Sequence, residues 1–416
     1  MKQSIVTKAA AAALIGASAQ AMAGGFAVGT QSGSGTGNAF AGGAAAAEDA
    51  STVWYNPAGM SYLPAGKHVA IAGHVVKPSF KFQNAASSGA FAAPGTGDGG
   101  DGGDWAFVPQ AFFVTDLTPN VTFGAALNVP FGLKTDYDSG WRGQLTALKS
   151  EIKSVNLNAA MAYKVSEHFA VGLGISWQKL AAELSSFAGA AGVADIEADD
   201  DRWGMNVGVI FSPSQSTRIG AHFRSSIDYR LAGDVRFSAA PVGNGGVAAD
   251  LRVPESFSLS LFSAVSPRWE IMGDLTWTRW SRLDRLDIVR TTVLPGAPVT
   301  SFILRWDDTV RISIGANYKP DAAWKFRFGV AYDPTPTNDL DRTPRLPDQD
   351  RLWVAAGAQY RLSKTSTLDF GYAHEFIRDA SVNVPVPGFA TCAAGCLNGR
   401  FENKADIVSV QLNLAF

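Results

Sequence analysis

The sequence predicts an all-β protein, a 14-stranded antiparallel transmembrane β-barrel. Three observations carry this. From Gly66 onward, segments of roughly 10 residues alternate bulky apolar with small or polar side chains, as a membrane barrel wall requires. Short turns alternate with long polar or Gly-rich connections along the chain. Beyond the first two dozen residues, no segment offers the roughly 20 continuous apolar residues of a membrane helix, although 25 Phe, 11 Trp and 9 Tyr are present.

Strand side chains point alternately to the two faces of a sheet. Val310, Ile312, Ile314, Ala316 and Tyr318 share the parity expected to face lipid, and Arg311, Ser313, Gly315, Asn317 and Lys319 the parity facing the lumen. Val408, Val410, Leu412, Leu414 and Phe416 alternate in the same way with Ser409, Gln411, Asn413 and Ala415. A β-sandwich alternates too. The barrel is favoured because charges keep to one parity, because aromatics gather near strand ends as interfacial girdles do, and because the chain ends on an aromatic residue, Phe416.

Short turns are predicted at 117–120, 166–168, 213–216, 266–268, 320–322 and 363–366. Long loops are predicted near 83–104, 131–151, 184–200, 232–253, 291–302, 333–349 and 379–399. These connections imply 14 strands, an even number with short periplasmic and long extracellular ends. Closure removes the open sheet edges that lipid cannot hydrate.

The first 23 residues read as a signal peptide. Lys2 and Lys8 form the charged part, Ala9 to Ala17 the short apolar part, and Ala21-Met22-Ala23 the small-residue cleavage site. The expected organisation is 1–23 signal peptide, 24–65 hatch and 66–416 barrel. Without Lys2 and Lys8 the chain carries 33 basic and 37 acidic residues, a net charge of −4, so no basic excess points to nucleic acid. Cys392 and Cys396, in an exported chain, read as a local disulfide. A metal site is the alternative, but no His lies close in sequence.

Gly24 to Met60 is rich in Gly, Ala, Ser and Thr and has no Lys or Arg. It has too little large apolar surface for a core of its own and too little charge for a long solvated tail. Its residues fit either a plug threaded into a container or a linker after the leader. Val53-Trp54-Tyr55 is bulky, and Asn56-Pro57-Ala58-Gly59-Met60 has turn chemistry.

Four stretches carry a family resemblance. Glu48-Asp49-Ala50-Ser51-Thr52 with Tyr55-Asn56-Pro57-Ala58-Gly59-Met60 is the first. Asn128-Val129-Pro130-Phe131-Gly132-Leu133 with Trp141-Arg142-Gly143-Gln144 is the second. Val253-Pro254-Glu255-Ser256 through Asp274-Leu275-Thr276-Trp277-Thr278-Arg279-Trp280-Ser281 is the third, and Thr343-Pro344-Arg345-Leu346-Pro347-Asp348-Gln349-Asp350-Arg351-Leu352-Trp353 the fourth. Together they resemble the FadL/TodX (OmpP1) family of outer-membrane transporters over nearly the whole mature chain.

That resemblance implies passive uptake of hydrophobic compounds, with long-chain fatty acids first and aromatic hydrocarbons second. The implied route is capture by outer loops, binding in an interior pocket, a hatch shift and lateral exit where the third strand kinks. Trp54, Tyr55, Asn56, Pro57 and Gly59 are the hatch candidates. Gly124, Asn128, Pro130 and Gly132 suit the kink, since Pro removes a ladder donor and Gly permits a bend; an ordinary strand end is the alternative. Lys179, Arg311 and Lys319 are read as lumen-facing candidates to anchor a carboxylate, which needs a cation or several donors. Arg345, Asp348, Asp350 and Arg351 are expected to form a polar network near the barrel mouth, as a structural latch. The acidic run Asp199-Asp200-Asp201 fits a solvated loop end, or a divalent-ion site.

An enzyme is not expected. The five histidines, His68, His74, His168, His222 and His374, sit in no recognisable motif, and no Gly-x-Ser-x-Gly element occurs. A general porin and an adhesin are the remaining rivals. The expected partners are a hydrophobic small molecule and outer-membrane lipid, with no cofactor, and the barrel is expected to be monomeric.

Overall fold

The computed structural model describes residues 24–93 and 96–416; the expected signal peptide, 1–23, lies outside the described residues. Fourteen antiparallel strands close into a barrel. They are β1 (Lys67–Asn84), β2 (Ala106–Thr118), β3 (Val121–Asn128, resuming at Gly132–Asp136), β4 (Lys149–Lys164), β5 (Phe169–Phe187), β6 (Val193–Ser214) and β7 (Thr217–Arg224, then Ile227–Phe237). There follow β8 (Gly245–Val253, then Ser256–Ala264), β9 (Trp269–Thr278, then Arg285–Arg290), β10 (Pro298–Ile303, then Thr309–Tyr318) and β11 (Trp324–Asp333). The last three are β12 (Arg351–Arg361), β13 (Ser366–Ile377, then Ala380–Pro385) and β14 (Cys396–Ala415). Each strand pairs with its sequence neighbours, and β1 pairs with β14 from His68↔Ala415 to Asn84↔Gly399, which closes the ring.

The alternation is realised as side-chain direction. Ile271 and Leu275 on β9 and Val310, Ile312 and Ile314 on β10 are exposed on the outer wall. Arg327 and Asp369, on the opposite parity, are buried in the lumen. Trp269 stacks against Tyr318 at 4.8 Å and Trp324 against Tyr360 at 4.7 Å, at the short-turn end, where amphipathic rings suit the membrane interface.

The expected loop at 184–200 is instead a hairpin. β5 runs to Phe187 and β6 starts at Val193, paired rung for rung from Phe187↔Val193 downward. The expected loop at 232–253 is likewise the upper half of β7 and β8. Above the bilayer both faces of a strand are wet, so the apolar alternation stops while backbone pairing continues. The acidic run thus belongs to β6 rather than to a loop end. Asp199 pairs with Lys179 at 2.8 Å, Asp200 with Arg202 at 2.9 Å, and Asp201 accepts from Trp177 Nε1 at 2.8 Å.

Residues 24–65 fill the lumen as short helical turns, at Gly33–Thr36, Gly43–Ala46, Thr52–Tyr55 and Pro57–Tyr62. They touch the wall all round. Gly33 N donates to Gln411 of β14 at 2.8 Å, Asn38 Nδ2 to Asn317 of β10 at 2.9 Å, and Ala44 N to Ser260 of β8 at 3.0 Å. Small side chains allow this approach. At Gly329 of β11 an added Cβ would lie 2.1 Å from the Asn38 carbonyl carbon, so only glycine fits there.

The long connections fold inward over the extracellular end. Tyr137 stacks on Trp141 at 4.4 Å, and Phe82 packs on Trp141 at 5.8 Å and on Phe401 at 5.2 Å. Trp141 is buried, and its Nε1 donates to Ala147 O at 2.7 Å, as a buried indole requires. Cys392 and Cys396 are disulfide-bonded in the last long connection, with Cα atoms 5.0 Å apart. Ser88 of the first connection exchanges hydrogen bonds with Cys396 at 2.9 and 3.1 Å, so these two connections are held together.

Candidate functional site

The wall is interrupted at the third strand. β3 pairs with β2 from Thr118↔Val121 to Ala111↔Leu127, and with β4 as far as Asn128↔Asn156. It rejoins β4 at Gly132↔Lys153 but does not rejoin β2. Three residues of β3, Val129 to Phe131, therefore oppose two of β4, which is a one-residue bulge. Residues 106–110 of β2 pair with β1 alone.

The backbone that leaves the wall is satisfied by the lumenal segment. Val28 N donates to Pro130 O at 2.8 Å, Gly132 N to Phe26 O at 2.9 Å, and Gln31 Nε2 to Val129 O at 2.7 Å. Ala27 and Phe131 form an isolated antiparallel bridge. Asn128 donates to Gln31 Oε1 and accepts from Asn156 Nδ2, both at 2.9 Å. Buried donors and acceptors must pair somewhere, and here the partner is the plug rather than the next strand. Of the residues expected at the kink, Asn128, Pro130 and Gly132 lie at this break. Gly124 does not: it sits in the regular ladder opposite Val114, and an added Cβ there would meet Met60 Sδ at 2.3 Å.

Against the break lies an interior cavity of about 190 Å³, lined on one side by Ala27, Val28, Phe40, Trp54, Tyr55 and Phe131. The other side is polar and comes from four adjacent strands. In one cross-strand row Arg224 faces Ser256, Ser256 faces Thr278 and Thr278 faces Thr309. Two residues nearer the periplasm, His222, Ser258, Thr276 and Arg311 form a second row. All eight side chains line the cavity. An apolar face opposite ordered hydroxyls and guanidinium groups suits a molecule with a greasy body and a polar head.

Of the three expected anchors, only Arg311 reaches this cavity. It donates to Ala39 O at 2.9 Å, lies 3.9 Å from Asp333 and stacks 5.2 Å over Trp353. Lys179 shares the parity of Leu173 and Ile175 on the outer wall, and pairs there with Asp199. A charge is tolerated on that face because the strand has risen above the lipid. Lys319 faces inward but is paired with Glu270 at the periplasmic end. Arg224 is a cavity residue that sequence reasoning missed. The alternation across 217–224 could have found it, since Ile219 faces lipid and the even positions face inward.

Asn56 anchors the turn of the lumenal segment. Its Oδ1 accepts from Ala58 N at 3.0 Å, capping the turn that Pro57 begins. Its Nδ2 donates to Ala44 O at 2.7 Å and to Val209 O at 3.0 Å on β6. Gly59 is required by contact, since a Cβ there would lie 2.0 Å from Thr52 Oγ1. Asn56→Ala would strand buried carbonyls, and a loss of about 1–3 kcal/mol is expected. The check is the denaturant midpoint of the barrel together with its ion conductance in planar bilayers. An unchanged midpoint and conductance would show that this turn does not hold the segment in place.

Near the mouth, Asp348 pairs with Arg351, and Arg351 also pairs with Glu375 at 3.1 Å. Asp348 Oδ2 accepts from Gly25 N at 2.9 Å, which ties this cluster to the start of the lumenal segment. Asp350 accepts from Thr335 N at 3.1 Å and Tyr332 OH at 2.7 Å. Arg345 is not part of this network. It donates to Lys149 O at 3.1 Å and Ser185 O at 3.2 Å, across the tops of β4 and β5. Burial pushes its guanidinium down to about 10, which leaves it protonated at neutral pH. At the periplasmic side Glu48 of the lumenal segment accepts from Arg327 at 2.7 and 2.8 Å and from Lys325 at 2.5 Å.

The sequence that builds this barrel matches a known family. The model of the outer membrane protein transport protein family (OMPP1/FadL/TodX) matches residues 14–416. The chain belongs to this family. Its members are outer-membrane transport proteins rather than enzymes, and they carry hydrophobic compounds. A "Long-chain fatty acid transport protein" of Salmonella typhi is 26% identical over 452 residues, spanning 100% of both chains. "Outer membrane protein P1" of Haemophilus influenzae is 28% identical over 413 residues, 88% of each. Among solved structures, a Pseudomonas aeruginosa FadL homologue superposes with a TM-score of 0.85 at 24% identity, covering 95% of this chain and all of that one. The Ralstonia pickettii toluene transporter TbuX gives 0.68 at 18% identity, covering 92% of this chain and 98% of that one. At such identities these structures speak for the fold alone.

Proposed function

We propose that this family member takes up long-chain fatty acids passively. The observation that carries this reading is the two-sided cavity, with apolar plug residues on one side and two rows of hydroxyl and guanidinium groups on the other. An aromatic hydrocarbon has no use for such rows, and burying them unpaired beside it would be costly. The full-length relatives named for long-chain fatty acids support the same choice.

The route runs from capture by the outer connections into the cavity. A resting volume of about 190 Å³ is below the roughly 300–1,000 Å³ of typical ligand pockets, so an acyl chain needs the lumenal segment to move. Residues 24–65 act as the hatch in this reading. Their retreat from Pro130 and Phe131 opens the side of the barrel between β2 and β3, and the solute leaves sideways into lipid. The barrel works as a monomer, and the surrounding lipid is the first acceptor.

Native mass spectrometry of the protein purified from its own membranes, with extraction of what co-purifies, tests this. Near-equal stoichiometry of a fatty acid is the expected result. Binding of added toluene with no acyl ligand would move the substrate to aromatic hydrocarbons. No hydrophobic ligand, with high ion conductance, would mean a porin.

A further inference from the structure

Arg224 has an unusual environment for a lumenal arginine. Arg327 is neutralised by Glu48 and Asp369, and Arg351 by Asp348 and Glu375. Arg311 has Asp333 at 3.9 Å. Arg224 lies in the cavity lining, yet among the described residues no carboxylate comes within salt-bridge distance of it. Its contacts are a hydrogen bond to Trp54 O at 2.9 Å and a stack on the Trp54 ring, 3.4 Å from the ring centre. A guanidinium carries five N–H donors, so most of its capacity is unspent. Arg218 also lacks a carboxylate, but it lies at the periplasmic end of β7, donates to Ala46 O and does not line the cavity.

Its neighbours favour an anion. Ser256 is opposite on β8, with Thr278 beyond it on β9, and both supply hydroxyl donors. The nearest cavity carboxylate by register is Asp274, two strands and four residues away, which is roughly 16 Å along the wall. That carboxylate is engaged by the Ser260 and Thr276 hydroxyls at 2.5 and 2.7 Å. A cation held in a partly dry site without a counter-charge is costly, and a ligand that brings one carboxylate relieves that cost.

We propose that Arg224 is the head-group anchor of the cavity, taking the carboxylate of an aliphatic monocarboxylic acid with help from Ser256 and Thr278. This rests on the fatty-acid reading above and assigns its polarity: the head lies at the β7–β9 wall and the tail along the plug toward Phe131. Arg224 is then the residue that separates acids from uncharged molecules of the same length.

The test measures equilibrium binding of oleate and of oleyl alcohol to the wild type, Arg224→Gln, Arg224→Lys and Arg311→Gln in detergent at neutral pH. Arg224→Gln is expected to weaken oleate about tenfold to hundredfold, as loss of a charge-assisted pair should, and to change oleyl alcohol less than about threefold. Arg224→Lys should recover part of the oleate affinity. Oleate binding by Arg224→Gln at the wild-type level overturns the anchor and leaves the uptake reading standing. So does a larger loss at Arg311→Gln than at Arg224→Gln. Should Arg224→Gln fail to fold, the wild type alone decides, since equal affinity for acid and alcohol also overturns the anchor. Failure of the wild type to bind either probe removes the uptake reading itself.

Discussion

A disulfide introduced between positions 27 and 131 will stop uptake, and its reduction will restore it. Ala27 and Phe131 are directly opposed across an antiparallel bridge, where Cα atoms lie about 4.5–5.5 Å apart. That falls inside the roughly 4.4–6.8 Å a disulfide accepts. In the double variant Ala27→Cys, Phe131→Cys, the oxidised bond welds the lumenal segment to the strand it completes, so the side of the barrel cannot open. Uptake of labelled oleate by cells, before and after mild reduction, reads the effect. The wild type treated in parallel accounts for the native Cys392–Cys396 bond. Full uptake with the bond verifiably formed would remove the lateral route, because no other motion of Phe26 to Val28 frees that opening.

The second large effect is on stability. Arg351, Asp348 and Glu375 are each almost wholly buried, and Arg351 is the cation shared by both carboxylates. Arg351→Met leaves two acidic groups facing each other without it. Breaking a buried ion pair from one side costs about 3–5 kcal/mol, and that loss is expected in equilibrium unfolding from lipid vesicles. Because Asp348 also holds Gly25 N, the same variant should release the start of the lumenal segment and raise ion leak. A loss below about 1 kcal/mol would mean that the cluster is solvated and merely decorates the mouth.

The barrel was legible because lipid imposes a simple rule on its wall. Any strand that crosses hydrocarbon must keep its large apolar side chains on one parity, and Val310 to Tyr318 or Val408 to Phe416 announce this directly. The same rule falls silent above the membrane, which is why the hairpin joining β5 to β6 reads as a loop in the sequence. It also explains the two unequal anchor assignments. Arg311 alternates with Val310 and Ile312 and is inside, whereas Lys179 lies on the lipid parity of its own strand and is outside. Arg224 was overlooked because a lone Arg before Ser225 and Ser226 resembles any strand end. Its significance comes from the absence of a nearby acid, and that is a property of three dimensions. The break after Asn128 was readable from Pro130 and Gly132. Its repair by Phe26 and Val28 was not, since nothing in either stretch says that residues a hundred positions apart will share hydrogen bonds.

In the proposed lateral route, that repair would act as a built-in return stroke. Four hydrogen bonds join the plug to the interrupted strand, from Val28 N, Gly132 N, Gln31 Nε2 and Asn128 Nδ2. At about 1 kcal/mol net for each, parting them costs about 4 kcal/mol, so an empty barrel would stand ajar about once in 900 looks. The restoring force is stored in the seam itself, and no motor or ion gradient is needed to reset it. On the proposed lateral route, a cell surface that must admit lipids while keeping detergents out would gain a self-closing valve from a strand left one partner short.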